Sequence, residues 1–300
     1  MFISKNVLIA CFGWLALSAS GPSNATENGA IAYPIGVNTI MAGAMPGPGD
    51  TWLQNYTIYY AADAFTNGQG NSAVPGFGAD VFANAVRIFH TWDVEFGPFR
   101  LASGIVVPFM NTDVGTVFGS QSNFGFGDIT LQPLYLGWSN AEKTFFGFSG
   151  VDVFVPTGGA TSNNFITVNP YTTFTWMPVQ KLDVSGAIGV EFHTKNDDTQ
   201  YQSGALFFVD WGVNYHAFDT IPELTVGVGG YFVKQFTDDE LLGVAYQGGF
   251  RQQGFAIGPQ ISYGGPNGAF GVKWQHEFGT ENRAEGDRFW FQFFVPLRAP

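Results

Sequence analysis

Cysteine is nearly missing from this 300-residue chain: the one thiol, Cys11, sits in an apolar stretch at 7–17. Disulfide scaffolds, Cys-rich metal sites and Cys nucleophiles have nothing to work with beyond it. Charge is scarce as well, at 12% of residues, about half the usual share of a soluble domain. Positive charge is scarcest: 12 Lys and Arg against 24 Asp and Glu give a net charge of −12. Nothing basic is left over to neutralise phosphates, so nucleic acid is not an expected partner. Beyond the first residues no apolar run nears the ~20 residues of a spanning helix. What is abundant is Gly, with 40 residues, and aromatics, at 17% with 32 Phe.

The first 25 residues have the form of a secretory signal peptide. Lys5 provides the positive region and 7–17 the apolar core. Ser23-Asn24-Ala25 places small residues at a cleavage site after Ala25. An exported, aromatic-rich chain without a spanning helix is either a secreted all-β protein or a transmembrane β-barrel.

Alternation decides between the two. In LDVSGAIGVEFH (182–193), Leu182, Val184, Ile188, Val190 and Phe192 share one face, and Asp183, Ser185, Glu191 and His193 share the other. That is period two, apolar outward and polar inward. The pattern repeats at 205–217, 270–278 and 288–297. Twelve such segments are expected, at 51–60, 80–92, 99–109, 124–138, 144–156, 168–176, 182–193, 205–217, 224–236, 254–263, 270–278 and 288–297, each about as long as a tilted membrane strand. Short connections near 96–98, 139–143, 177–181, 218–223 and 264–269 alternate with longer ones at 61–79, 110–123, 157–167, 194–204, 237–253 and 279–287. Outer-membrane barrels have short periplasmic turns and long outer loops. The expected fold is therefore an all-β, antiparallel up-and-down barrel of about 12 strands spanning residues 51–300. Its location is the outer membrane of a Gram-negative bacterium, among outer-membrane lipid and lipopolysaccharide.

Specific strings add to this. GFGDITLQPLYLGW (125–138), DVFVPTG (152–158) and the opening ENGAIAYPIGV…PGPGD…NYTIYY resemble the meta-pathway phenol-degradation family, outer-membrane β-barrels often encoded with aromatic-catabolism enzymes. The likeness to its sphingosine-induced transporter-like branch is strongest at the N-terminal end. The resemblance implies passive uptake of small hydrophobic or aromatic compounds. From the residues themselves no cofactor, no metal and no catalysis are expected. Rival roles are a polar-solute channel for nucleosides or oligosaccharides, a barrel hydrolase, and a structural barrel.

Charged strand residues are costly against lipid and belong in the lumen. Arg87, Arg100, Asp128 and Asp152 are candidates for a substrate-lining wall. By alternation Phe124 and Phe126 share the face of Asp128, and Phe146, Phe148 and Phe154 share that of Asp152, so all five rings are expected inward. A hydrolase would need a base beside a nucleophile. His193 and His216 are the inward histidines, but no recognisable nucleophile string accompanies them.

Residues 26–50 fit neither helix nor strand. Between Glu27 and Asp50 stand five glycines, three prolines (Pro34, Pro46, Pro48) and two methionines (Met41, Met45). Irregular backbone is tolerated at membrane depth only where protein shields it. The segment is expected to fold into the lumen as a plug. Tyr33, Pro34, Met41, Met45 and Pro46 would then lie against the aromatic wall.

Overall fold

A computed structural model describes residues 29, 31–94, 96–265 and 267–297. The leader at 1–25 lies outside the described residues, as do the first residues of the following segment. The barrel begins with β1 (Thr51–Phe65), β2 (Gly78–Thr91), β3 (Arg100–Thr116), β4 (Gly119–Phe126), β5 (Ile129–Ser139), β6 (Phe145–Val155) and β7 (Thr167–Val179). It continues through β8 (Leu182–His193), β9 (Tyr201–Gln202), β10 (Leu206–Tyr215), β11 (Leu224–Gln235), β12 (Glu240–Leu241) and β13 (Val244–Ala245). The chain ends with β14 (Gln253–Gly265), β15 (Gly268–Glu281) and β16 (Ala284–Leu297). Among the described residues no helix is long and apolar enough to cross a membrane.

Every wall strand pairs antiparallel with its chain neighbours, and β1 pairs with both β2 and β16. The sheet is thus a closed barrel without free edges, which a lipid environment requires. β4 and β5 both pair with β3 and act as one strand broken at Gly127-Asp128. Counting them as one gives twelve strands, as alternation predicts. The two-residue strands β9, β12 and β13 form a small sheet among the long loops. There Asp239 accepts hydrogen bonds from Gly204 N (2.7 Å), Tyr201 Oη (2.5 Å) and Gln235 Nε2 (2.7 Å).

One end of the barrel carries short turns and the other most of the long loops. Two expected loops are instead strand. In place of 110–123, β3 and β4 extend as a hairpin that turns at Val117-Phe118. In place of 279–287, β15 and β16 run on to a turn at Asn282-Arg283, with Asn282 at φ 52°. Asparagine tolerates that left-handed backbone better than most residues. The hairpins extend because strand pairing satisfies backbone groups beyond the membrane as well as within it.

The apolar-out, polar-in pattern holds for most of the wall: Ile188, Phe192, Val213, Trp274, Phe289 and Phe291 are exposed on the outside, while Asp183, Glu191, Asp210, Lys273 and Glu277 are buried within. The β1–β2 sector departs from it. Asn55 and Asn84 face outward and satisfy each other through a reciprocal amide pair at 3.0 Å. The inward neighbours of Asn84, Ala83 and Ala85, are small and apolar.

Candidate functional site

The segment before β1 runs through the lumen from end to end. Gly29 lies against the Asn282-Arg283 turn at the loop end, where an added Cβ would come 2.3 Å from Asn282 O. At the turn end, Gly49 N donates to Thr91 O and Thr91 N to Asp50 O. Between these points the wall holds the segment chiefly by its backbone. Glu191 accepts from Ala32 N (3.3 Å) and from Tyr33 N. Asp210 accepts from Gly36 N (2.6 Å), Asn38 N (2.9 Å) and Tyr33 Oη (2.9 Å). Lys273 Nζ donates to Gly36 O (2.8 Å) and Val37 O (2.7 Å). Arg288 Nη1 donates to Ile35 O at 3.3 Å and Gln292 Nε2 to Val37 O at 3.2 Å. The logic is that of satisfying every buried polar group. Irregular backbone has no ladder partner, so buried side chains of both charges replace one.

Two glycines let the segment sit this closely. Gly36 takes φ +82°, and a Cβ there would meet Gln275 Oε1 at 2.3 Å. Across from it, a Cβ on Gly212 of β10 would lie 2.0 Å from Thr39 O. Gly212→Ala should push the segment off the wall at Thr39. With Thr39→Cys as the reporter, maleimide labelling is expected to be slow in the parent, where Thr39 is fully buried, and much faster with Gly212→Ala.

Of the residues singled out in the segment, Tyr33 stacks on Phe208 with centroids 4.0 Å apart. Met45 packs on Gly137, and Pro46 is buried with its carbonyl accepting from Arg100 Nη1 at 3.4 Å. Pro34 lines the open cavity, and Met41 is 38% exposed at φ 44°.

The upper part of the segment rests on β8, β10, β14, β15 and β16, and this one-sidedness leaves a cavity against β1–β6. The cavity measures about 570 Å³. Strand register lays out its wall. Arg87, Ala85, Ala83, Val81 and Ala79 of β2 pair with Val106, Pro108, Met110, Thr112 and Val114 of β3. The same five pair with Gln54, Tyr56, Ile58, Tyr60 and Ala62 of β1 on the other side. The result is a lane of small and apolar side chains leading from the loop end down to Arg87. Beneath Arg87 the lumen is closed by Phe89, Tyr135 and Phe148, whose centroids lie 5.2–6.1 Å apart.

Arg87 is buried and its charge rests on neutral partners. Nε donates to Gln132 Oε1 (2.6 Å) and Nη1 to Gln54 Oε1 (3.0 Å), while the guanidinium stacks 4.1 Å from the Phe89 ring. Gln132 in turn donates to Asp152 Oδ1 (3.1 Å), which also accepts from Tyr135 Oη. Asp128, at the β4–β5 break, accepts from Ser162 Oγ (2.6 Å), Asn163 N (2.9 Å) and Asn163 Nδ2 (2.6 Å).

Arg87, Asp128, Asp152 and Phe154 therefore line the cavity. Phe148 lies in the aromatic layer below, and Phe146, on the same inward face, is half-buried nearer the turn end. Arg100 sits at the turn end under Pro46. Phe124 and Phe126 correct the expectation: they are 64% and 55% exposed and pack edge-on against outward Phe109. The break at Gly127-Asp128 shifts the side-chain parity, so the rings preceding it face out while Asp128 faces in. Sequence reasoning missed Gln54, Gln132, Tyr135 and Tyr171. It also missed the small-residue lane, although alternation outward from Arg87 picks out Ala79, Val81, Ala83 and Ala85.

The two histidines expected inward are both engaged by the wall. His193 Nδ1 is 2.9 Å from Thr167 Oγ1 and its Nε2 is 3.8 Å from Glu191, but all three are buried and Glu191 is occupied by the segment. His216 Nδ1 lies 2.8 Å from Pro222 O. No group of three or more His, Cys, Asp or Glu with metal-holding geometry occurs among the described residues.

The family model described as "Putative MetA-pathway of phenol degradation" matches residues 62–293, well over half of the chain. The chain belongs to this family. In outer-membrane barrels the end with short turns faces the periplasm. The chain's fold is similar to that of the COG4313 outer membrane channel from Pseudomonas putida F1, with a TM-score of 0.74 at 15% identity over 85% of this chain and 97% of that one. It is also similar to the beta domain of the Bordetella autotransporter BrkA, with a TM-score of 0.53 at 8% identity over 84% and 100%. No curated protein sequence matches the chain. It is an outer-membrane β-barrel, located in a Gram-negative outer membrane.

Proposed function

We propose that the chain is a channel for the passive uptake of small hydrophobic or aromatic compounds, and that residues 31–50 are its gate. The observation that carries this reading is the lane along β1–β3. A route for polar solutes is lined by charges and hydrogen-bonding groups that stand in for water. On β2 and β3 beyond Arg87, Ala, Val, Pro and Met face the open space with Thr112 among them, while the other charged groups of the cavity stand outside these two strands; burying an apolar solute against this wall is favourable at about 25 cal/mol per Å². Met110 adds an adaptable contact. The role is non-catalytic in this reading: none of the four histidines lines the cavity, and Glu191, the carboxylate beside His193, is held by the segment.

Proteoliposome swelling tests it. Sugars should cross slowly, and robust sugar flux would favour the polar-solute alternative instead. Ala83→Phe combined with Ala85→Phe fills the lane, leaves the outer face untouched, and should slow entry of an aromatic solute such as toluene into whole cells several-fold. Unaltered entry in a folded double variant would remove the lane from the route.

A further inference from the structure

We propose that the lane takes an amphiphile with a carboxylate head, and that Arg87 is the residue that recognises the head. The inference rests on the hydrophobic-uptake reading and narrows its substrate class. Three observations carry it. Arg87 stands at the closed end of the lane, and beyond it the β2 side chains facing the cavity are all apolar: Ala85, Ala83, Val81 and Ala79. Its Nη2 has no hydrogen-bond partner, and it forms no ion pair among the described residues. The other guanidinium groups at the cavity differ: Arg283 and Arg288 both reach Glu277, at 3.4 and 2.9 Å.

A buried donor without a partner costs about 1–3 kcal/mol, and a barrel that only needed its lumen filled would carry an amide or an apolar residue at this place. Asp152 would be the natural counter-ion, yet Gln132 stands between them, donating to Asp152 and accepting from Arg87. The carboxylates facing the cavity are already engaged, Asp152 by Tyr135 and Gln132, Asp128 by Ser162 and Asn163. A cationic head would therefore meet Arg87 first at the end of the lane and be repelled. A carboxylate fits the guanidinium fork. From Arg87 to Ala79 the lane follows eight residue steps of β2, roughly 26 Å at about 3.3 Å each. That length suits an extended chain better than a single ring.

The experiment compares radiolabelled laurate, lauryl alcohol and laurylamine, which share one chain and differ in the head, at mildly alkaline pH on the purified full barrel in maltoside micelles. Laurate is expected to bind about tenfold or more above the alcohol, the range of a charge-assisted hydrogen bond. Arg87→Gln should bring that ratio close to one, and Arg87→Lys should leave it intermediate. Heat-modifiable migration on gels reports whether each variant is folded, and the wild-type ratio decides by itself if a variant is not. Equal binding of acid and alcohol to the wild type, a preference for the amine, or a ratio that Arg87→Gln leaves unchanged would overturn the assignment while hydrophobic uptake stands. Retention of none of the three would overturn both.

Discussion

Deleting residues 27–49 is expected to raise single-channel conductance in planar bilayers several-fold. The segment fills the side of the lumen bounded by β8–β16, and its lower part lies under the aromatic layer at Met45 and Pro46. Its removal leaves Glu191, Asp210, Lys273 and Arg288 lining a wet bore, because the backbone groups that satisfied them are gone. A channel of mixed charge then replaces a packed interior. The barrel itself should remain, since closure rests on the β1–β16 ladder. Its mobility on unheated gels should still be that of a folded barrel. Unchanged conductance would mean that the segment contributes nothing to closing the pore.

Asp210→Ala should loosen the same element without removing it. Asp210 accepts from two backbone amides and from Tyr33 Oη, and it is the counter-charge near Lys273. Removing one partner of a buried charged cluster typically costs roughly 3–5 kcal/mol. Spent on undocking, that amounts to a population of released segment roughly a hundred- to a few thousand-fold larger. Single-channel records should show brief openings that the parent lacks, with the amplitude of the deletion variant. The Tyr33→Phe variant removes only the phenol's share and should open far less often. A silent Asp210→Ala channel would place the restraint elsewhere, for example on Glu191.

How much of this was legible beforehand depended on whether a side chain obeyed simple alternation. The strand 182–193 has the boundaries its pattern predicts, and Asp183, Glu191, Asp210, Lys273 and Glu277 lie inside because lipid penalises them outside. Arg87 is readable for the same reason. Phe124 and Phe126 are not, because the break at Gly127-Asp128 changes parity in mid-strand. A second register shift between Leu131 and Tyr135 has the same effect, and it brings Tyr135 beneath Arg87. Bulges leave little trace in composition. The seat of the N-terminal segment was readable only as a need for shelter. Its partners lie 132 residues away at Thr175 and 255 away at Gln292, and no local pattern encodes such distances.

Those separations also order events during assembly. The seat of the segment is built from β7, β8, β10, β14, β15 and β16. The last anchoring residue, Gln292, is contributed by the final strand, which must itself pair with β1 before any interior exists. Contacts of such long range form late. The seat is therefore complete only where the barrel is closed, and the beginning of the chain docks in full only onto its end.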